Sequence, residues 1–314
     1  MKFIFLAVLS TFAPSTEPQI LEKIHHLYKE PSKDEGFIVA DFLTSLGKGS
    51  KSEGVKCRNS SPIVRQIEKR FSQFCRGYKL HLTTAHPSIP KKLHFIWLGS
   101  PLNERRYMVL DSWKKFHPEW EQWIWTEREL ENFPWPDKRL AQLFDEAQTY
   151  AEKADIWRVA ILALYGGVYS DFDMICLKKF DDFIDAGVTF FVGIETSAEK
   201  GYPFSVNNAL IGAIKDHKII QEFIRVIIAN GDMDKQLGPH IRTGPFALTQ
   251  AICNYYIEDP ALQKVLILPC TYFYPSWFSM NNMRSGRLKL SRLIKKETMV
   301  FHLYEGSWKN GYSI

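Results

Sequence analysis

Hydrophobic and polar positions follow two periods along the chain, and stretches of the two kinds alternate. From Leu93 onward, short apolar runs typical of strands are followed by longer stretches in which apolar residues recur every three or four positions, as in helices. The predicted strands are Leu93–Trp97, Glu121–Trp125, Val168–Leu177, Thr189–Ile194, Val265–Leu268 and Met299–Leu303. The predicted helices are Glu104–Phe116, Asp137–Ala147, Tyr150–Tyr165, Lys218–Ile228 and Phe246–Ile257. This alternation predicts an α/β fold whose mostly parallel sheet has helices on both faces.

Two aspartates stand two residues apart in one predicted strand. Side chains at i and i+2 of a strand share a face, so Tyr169, Asp171 and Asp173 are expected to point the same way. Paired carboxylates suit a hard divalent cation that shares its oxygen ligands with a substrate's phosphates. A second pair, Asp232 and Asp234, follows a polar, turn-like stretch and is interpreted as part of a solvated loop. The first pair therefore indicates an enzyme that acts on a diphosphate.

The helix before that strand carries two charged residues in an apolar setting. Asp155 and Arg158 are three residues apart and so lie on one helix face. The other positions of the helix form an apolar stripe, and the helix is predicted to end at Gly166-Gly167, where glycine can take the left-handed conformation of a C-cap. An acid and a base at the start of so apolar a helix need polar partners.

Several motifs, in order along the chain, carry a family resemblance. They are the run Ile89–Gly99, Ala154-Asp155-x-x-Arg158, Leu164–Tyr169, Asp171-x-Asp173, Asn208–Ala213, Thr243–Thr249 and His302–Trp308. Together they resemble the DXD-containing sugar transferases of glycosyltransferase family 32, which includes fungal initiating mannosyltransferases. The pattern is also similar to the catalytic domain of the large clostridial glucosylating toxins.

The resemblance implies a GT-A type, Rossmann-like fold and the metal-dependent, retaining transfer of a hexose. The implied donor is a UDP- or GDP-linked nucleotide sugar, and the implied acceptor is a saccharide or a protein. The implied cofactor is Mn²⁺ or Mg²⁺, held by Asp171 and Asp173 with His302 as a third ligand. The implied catalytic residues are Asp171, Asp173 and Asn208. The implied substrate-binding residues are Trp97 at the base, Asp155 and Arg158 at the sugar hydroxyls, Tyr169, and Ser307 and Trp308 over the diphosphate.

Structural roles stay open for some of these residues. Trp97 and Trp308 are two of 9 tryptophans, and a tryptophan is more often part of a core than a platform for a base. Asn208 also suits the cap of a turn before an apolar helix. His302 follows an apolar strand and is as compatible with a satisfied core histidine as with a metal ligand.

Two other classes of protein are compatible with the aspartate pair. A haloacid dehalogenase-like phosphatase also places Asp-x-Asp at a strand end, but it would leave Asp155 and Arg158 unexplained. A non-catalytic module that binds sugar or a host protein would keep the fold without needing the full set of polar motif residues. An assay that compares the turnover of sugar nucleotides with the release of phosphate from a simple phosphate ester distinguishes these classes.

Composition excludes only a few kinds of binding partner and structural framework. The positive residues are spread along the chain and much of the net charge of +5 lies before Lys92, so a surface that binds nucleic acid is not expected. The five cysteines show no C-x-x-C spacing, which argues against a zinc ribbon or a dense disulfide framework.

The residues before the motifs predict a separate organisation. Segment 1–14 resembles a secretory signal, although Pro14 disfavours cleavage, and its apolar stretch is too short for a transmembrane anchor. Residues 15–88 have helical patterning and form an N-terminal extension, packed on the catalytic domain 89–314 or used for peripheral contact with a membrane or partner. The expected location is cytoplasmic or secreted.

Overall fold

The computed structural model describes residues 61–81, 88–196, 204–258, 264–275 and 293–305. The predicted signal-like segment 1–14, most of the extension 15–88, and the predicted binding residues Ser307 and Trp308 lie outside the described residues. The strands are β1 (Lys92–Ile96), β2 (Glu121–Trp125), β3 (Gly167–Ser170), β4 (Met174–Cys176), β5 (Phe190–Thr196), β6 (Ser205–Ala213), β7 (Val265–Leu268) and β8 (Val300–His302). The helices are α1 (Pro62–His81), α2 (Glu104–Phe116), α3 (Glu127–Leu130), α4 (Lys138–Glu146), α5 (Tyr150–Tyr165), α6 (Asp181–Asp185), α7 (Lys218–Ala229), α8 (Pro239–Arg242) and α9 (Pro245–Glu258).

A six-stranded sheet forms the centre, in the order β2-β1-β3-β6-β5-β7. The pairs β1/β2, β1/β3 and β5/β7 are parallel, and within this sheet β6 alone runs against the others. The carboxyl ends of β1, β3, β5 and β7 therefore meet at one edge, where open α/β sheets bind ligands. The predicted α/β fold with a mostly parallel sheet is confirmed, and the GT-A designation stays a prediction.

Helix α5 lies in the core, and Asp155 and Arg158 of its first half contact the residues at the carboxyl edge of the sheet. Thr149 caps its first turn by accepting a hydrogen bond from the Glu152 N–H at 3.2 Å. The helix stops at Gly166, whose φ of 61° is the positive value predicted for a glycine cap. A Cβ at Gly166 would lie 2.6 Å from the Lys215 nitrogen, so only glycine fits this turn. The glycine stop thus turns the chain directly into β3.

The predicted strand Val168–Leu177 is wrong as a single element. The strand of the main sheet ends at Ser170, residues 172–173 form a turn, and β4 pairs with β8 in a separate two-stranded sheet. The side chain of Phe172 is 4% exposed and packs on Phe95 with ring centroids 5.0 Å apart. Burial of this aromatic ring in the turn takes Asp171 and Asp173 out of regular strand alternation.

A second correction concerns Asn208. The interpretation of Asn208 as the cap of an apolar helix is wrong, because Ser205–Ala213 is strand β6. The strand was missed because all nine of its residues are buried, so the polar and apolar alternation of a half-exposed strand is absent.

The described part of the predicted extension is helix α1. Its apolar face, with Val64, Ile67 and Phe71, belongs to the same buried cluster as the sheet. The Phe71 ring meets Tyr272 edge to face, with centroids 6.0 Å apart. Among the described helices, none combines the length and the apolar character needed to cross a bilayer. The boundaries 15–88 and 89–314 stay predictions.

Candidate active site

The aspartate pair lies in the turn that follows β3, at the carboxyl edge of the sheet. The Asp171 N–H continues the β3/β6 ladder by donating to the Ala209 carbonyl at 2.8 Å, and the Met174 N–H closes the turn on the Asp171 carbonyl at 3.2 Å. The Asp171 side chain is 32% exposed and that of Asp173 is 15% exposed. The turn thus presents both carboxylates at the edge, although not by the strand geometry that the sequence predicted.

Asp155 is held by three side chains, one from its own helix and two from distant segments of the chain. Its Oδ1 lies 2.9 Å from Arg158 Nη2 and accepts a hydrogen bond from Asn208 Nδ2 at 2.8 Å. Its Oδ2 accepts from the Thr243 hydroxyl at 3.1 Å. Burial raises the pKa of Asp155 to about 6, against the opposing effect of the Arg158 charge. The polar partners that the sequence required for Asp155 are therefore Arg158, Asn208 and Thr243.

Arg158 joins this cluster to the aspartate pair. Its Nη1 donates to the Asn208 carbonyl at 2.7 Å and lies 3.3 Å from Asp171 Oδ1. Its guanidinium also lies over the Tyr169 ring, 4.5 Å from the centroid. The Tyr169 hydroxyl in turn donates to Asp171 Oδ1 at 2.6 Å. Asp155, Arg158, Tyr169, Asp171 and Asn208 thus form one connected network, and their roles toward a substrate stay predictions.

The two aspartates differ in charge environment. Burial raises the pKa of Asp171, with Arg158 opposing and the nearby charge of Asp173 adding to the rise. Burial also acts on Asp173, but the His302 charge and the Glu305 N–H more than offset it, so its pKa is lowered. Asp173 is therefore the more firmly ionised carboxylate of the pair.

His302 faces Asp173 rather than standing free as a ligand. Its Nε2 lies 3.1 Å from Asp173 Oδ1, and although burial lowers it, the charge of Asp173 raises the pKa of His302 overall. A metal ligand must be a neutral imidazole, whereas this pairing favours the protonated ring. The ligand role of His302 stays a prediction, and the described geometry supports an ion-pair role.

Sequence reasoning missed Arg106 and Glu305. Arg106 Nη1 donates to the Phe172 carbonyl at 2.7 Å, and Arg106 Nη2 pairs with Glu305 Oε2 at 2.6 Å. The Glu305 N–H then donates to Asp173 Oδ2 at 3.1 Å. A signal for Glu305 was its place inside the His302–Trp308 motif; Arg106 offered none beyond a charge on an otherwise buried helix face.

Trp97 lies just past the end of β1 at the same edge. The Arg106 guanidinium covers one face of its indole, 4.5 Å from the ring centroid, and Phe172 meets it edge to face with centroids 5.6 Å apart. Trp97 is half-buried. A stacked base would have only the other face available, and this role stays a prediction.

The carboxylates fit a hard divalent cation that is completed by its substrate. Within the residues described, no group of three or more His, Cys, Asp or Glu side chains converges as a ready metal cage. Two partly exposed carboxylates are nevertheless the donor set that such a cation uses when it takes its remaining ligands from water and phosphate oxygens. The site therefore fits a metal ion whose ligands come partly from the substrate better than a metal ion held by protein side chains alone.

Comparison with known proteins identifies the class. The model of the glycosyltransferase sugar-binding region containing the DXD motif matches residues 103–189, which include Asp155, Arg158 and both aspartates of the turn. Residues 103–189 are therefore the DXD-containing sugar-binding region of a glycosyltransferase. The family resemblance seen in the sequence is thereby confirmed.

The proteins that this chain is similar to differ in organism and length. It is 26% identical to the uncharacterized glycosyltransferase L373 of Acanthamoeba polyphaga mimivirus, over 60% of this chain and 73% of the relative. It is 24% identical to inositol phosphoceramide mannosyltransferase 1 of Schizosaccharomyces pombe, over 59% of this chain and 57% of the relative. Across the curated relatives, the match spans between 25% and 73% of their own length.

A solved structure also resembles the fold. The catalytic domain of alpha-toxin from Clostridium novyi matches 92% of this chain and 89% of its own, at 12% identity and a TM-score of 0.38.

Proposed function

We propose that this DXD glycosyltransferase transfers a hexose from a UDP- or GDP-linked nucleotide sugar to a saccharide or protein acceptor, with Mn²⁺ or Mg²⁺ and with retention of configuration. One observation carries the proposal: Asp171 and Asp173 lie together in the turn after β3, and Asp171 is fixed there by Tyr169 and Arg158. A bound divalent ion would supply Lewis-acid stabilisation of the departing nucleoside diphosphate.

The residues of this chain divide the work around the diphosphate. Asp171 and Asp173 would hold the cation, with Asp171 oriented by the hydrogen bond from the Tyr169 hydroxyl. Fixed orientation matters because transition-state stabilisation depends on groups that need no rearrangement during the reaction. Arg158 keeps Asp171 and Asp155 in one arrangement by lying within 3.3 Å of both.

The sugar is proposed to lie beside Asp155 and Asn208. Both oxygens of Asp155 already accept hydrogen bonds within the protein, from Asn208 and Thr243. Additional lone pairs of the carboxylate remain for sugar hydroxyls, since each carboxylate oxygen accepts more than one hydrogen bond. Trp97 is proposed to stack on the base, and Ser307 and Trp308 to cover the diphosphate.

The test is a panel of donors, with chelation of the metal and a simple phosphate ester as the two comparisons. UDP-glucose, UDP-galactose, UDP-N-acetylglucosamine and GDP-mannose are incubated with the full chain and Mn²⁺, and the release of UDP or GDP is measured. We expect hydrolysis of at least one donor, abolished by EDTA and restored by excess Mn²⁺. Release of phosphate from p-nitrophenyl phosphate without turnover of any donor would refute the proposal and favour a phosphatase.

Acceptor class and stereochemistry are read from the same donor. The name of the Schizosaccharomyces pombe relative adds inositol phosphoceramide to the saccharides and proteins worth supplying as acceptors. NMR of the anomeric proton in the first product formed distinguishes retention from inversion. An inverted product would contradict the retaining assignment while leaving the transfer itself intact.

A further inference from the structure

Strand β6 is irregular where it passes the active site. Opposite β5, the register steps from Val192 facing Ile211 to Gly193 facing Asn207, so residues 208–210 bulge out of that ladder. On its other side the same stretch remains paired with β3, where Ser170 faces Leu210. Bulges are frequent beside active sites because they redirect side chains and backbone groups.

The side chain of Asn207 closes this bulge. Its Oδ1 accepts a hydrogen bond from the Ala209 N–H at 2.8 Å, and its Nδ2 donates to Glu195 Oε1 at 2.7 Å. Asn207 and Glu195 are 8% and 7% exposed, so neither hydrogen bond competes strongly with water. An ionised carboxylate accepts and cannot donate, so Glu195 fixes which end of the Asn207 amide faces it.

The backbone of the bulge bears two contacts to the proposed catalytic network. The Asn208 carbonyl accepts from Arg158 Nη1 at 2.7 Å, and the Ala209 carbonyl accepts from the Asp171 N–H at 2.8 Å. Arg158 and Asp171 come from α5 and from the end of β3, respectively. A displacement of residues 208–209 would therefore move both of them.

We propose that Glu195 and Asn207 are positioning residues of the transfer reaction. Glu195 holds the Asn207 amide, Asn207 fixes the bulge at residues 208–209, and the bulge sets the positions of Arg158 and Asp171. Neither Glu195 nor Asn207 is required to touch the donor. This inference rests on the proposed function, because the network it supports is the one assigned to donor binding.

The donor and the acceptor of the hydrogen bond between Asn207 and Glu195 can be exchanged by substitution. Asn207→Asp places a carboxylate 2.7 Å from Glu195 Oε1, where like charges repel. Glu195→Gln keeps an acceptor oxygen for the Asn207 amide. The double variant Glu195→Gln/Asn207→Asp reverses donor and acceptor, and still leaves an oxygen at position 207 for the Ala209 N–H.

The experiment measures kcat and KM for the donor that the wild-type chain hydrolyses fastest in the panel above, together with the melting temperature of each variant. We expect Asn207→Asp to raise KM and to lose about 10–100-fold in kcat/KM, the usual range for residues that orient ligating groups. Glu195→Gln should stay within about threefold of wild type, and the double variant should recover at least half of the loss on a logarithmic scale. A merely structural defect would lower the active fraction, and hence kcat, without raising KM.

A matched control lies away from the site. Asn254 Nδ2 donates to Glu222 Oε1 at 2.9 Å, between α9 and α7, so Asn254→Asp creates a comparable confrontation of carboxylates without touching β6. It should keep wild-type kcat and KM. If Asn207→Asp does not fold, Glu195→Ala replaces it, since it removes the tether without adding repulsion and is expected to raise KM as well.

The outcomes separate the two claims. A wild-type chain that hydrolyses no donor overturns the proposed function and this inference with it. An active wild type with Asn207→Asp or Glu195→Ala kinetically unchanged overturns this inference alone. A double variant no better than Asn207→Asp would also overturn it, since the reversed hydrogen bond should restore the bulge.

Discussion

Replacement of Arg158 by methionine removes the guanidinium that joins the two carboxylate groups of the site. Arg158 lies 2.9 Å from Asp155 Oδ1 and 3.3 Å from Asp171 Oδ1, and its side chain is 5% exposed. Methionine is long and flexible enough to fill much of the space without charge. Arg158→Met therefore tests the charge and its hydrogen bonds more than the packing.

The expected loss follows from the burial of Asp155. Removing one partner of a buried ion pair costs about 3–5 kcal/mol, because the other charge stays buried and uncompensated. Asp155 is 7% exposed, and burial already raises its pKa to about 6. Asp171 is 32% exposed, so water replaces part of the lost contact there. We expect Arg158→Met to lower the free energy of unfolding by about 3 kcal/mol, near the lower end of that range.

A double variant isolates the charge effect. Arg158→Met/Asp155→Asn removes both charges, and an asparagine at 155 still accepts from the Asn208 amide. Coupled neighbours typically show interaction energies of about 0.5–3 kcal/mol, so the double variant should regain about 1–2 kcal/mol of the loss. Turnover of the donor should be abolished in both variants, because Asp171 loses its ion pair with Arg158 and keeps only the hydrogen bond from Tyr169 among these contacts.

The assay is urea unfolding at neutral pH, followed by circular dichroism. The matched control is Arg139→Met, an arginine that is 36% exposed and contacts Glu146 at 3.0 Å and Asp232 at 3.1 Å. Exposed pairs contribute about 0–1 kcal/mol, so this control should lose less than about 1 kcal/mol. Equal losses for Arg158→Met and Arg139→Met would refute the account of the buried network.

Two further predictions concern pH and the C-terminal contacts of the site. Burial lowers the pKa of His94 to about 4 from its ordinary 6.5. The unfolded chain therefore binds a proton that the folded protein does not, and about 3 kcal/mol of stability should be lost as pH falls from 6.5 to 4. Urea midpoints should fall less steeply with pH for His94→Gln, and identical slopes would contradict the lowered pKa of His94. Arg106→Met should lower kcat/KM by about 10–100-fold, because the Phe172 carbonyl and Glu305 lose their shared donor. Steady-state kinetics should show a smaller loss for Arg105→Met, which leaves Arg106 on Glu305; the reverse order would contradict the assigned roles.

The α/β architecture was predictable because several of its elements each have one dominant period of apolar residues. Strands β1, β2 and β7 and helices α2, α5 and α7 follow from apolar runs and helical repeats, and the Gly166 stop follows from the need for a positive φ. Strand β6 could not be predicted in this way, because a strand that is buried along its whole length shows no alternation of polar and apolar residues.

The site residues were predictable as a set but not as a geometry. The motif grouped Asp155, Arg158, Tyr169, Asp171 and Asn208, and they do form one network. The sequence placed the two aspartates on one face of a single strand, which is wrong. The chain turns at the buried Phe172 between them. Contacts between distant segments, such as Arg106 with Glu305 across 199 positions, have no local pattern that could reveal them.

The most direct measurement of the central claim compares three single substitutions for release of UDP or GDP from the best donor with Mn²⁺. Asp171→Asn and Asp173→Asn should each lower turnover by at least about 100-fold, the usual cost of losing a group that stabilises the transition state. Both should remain folded at the assay temperature, since an asparagine keeps the shape of each side chain and an oxygen for the hydrogen bonds from the Tyr169 hydroxyl and the Glu305 N–H. Asp232→Asn, whose side chain is 92% exposed in the other Asp-x-Asp pair, should retain full activity. A wild-type rate for Asp173→Asn would contradict the assignment of this turn as the catalytic centre.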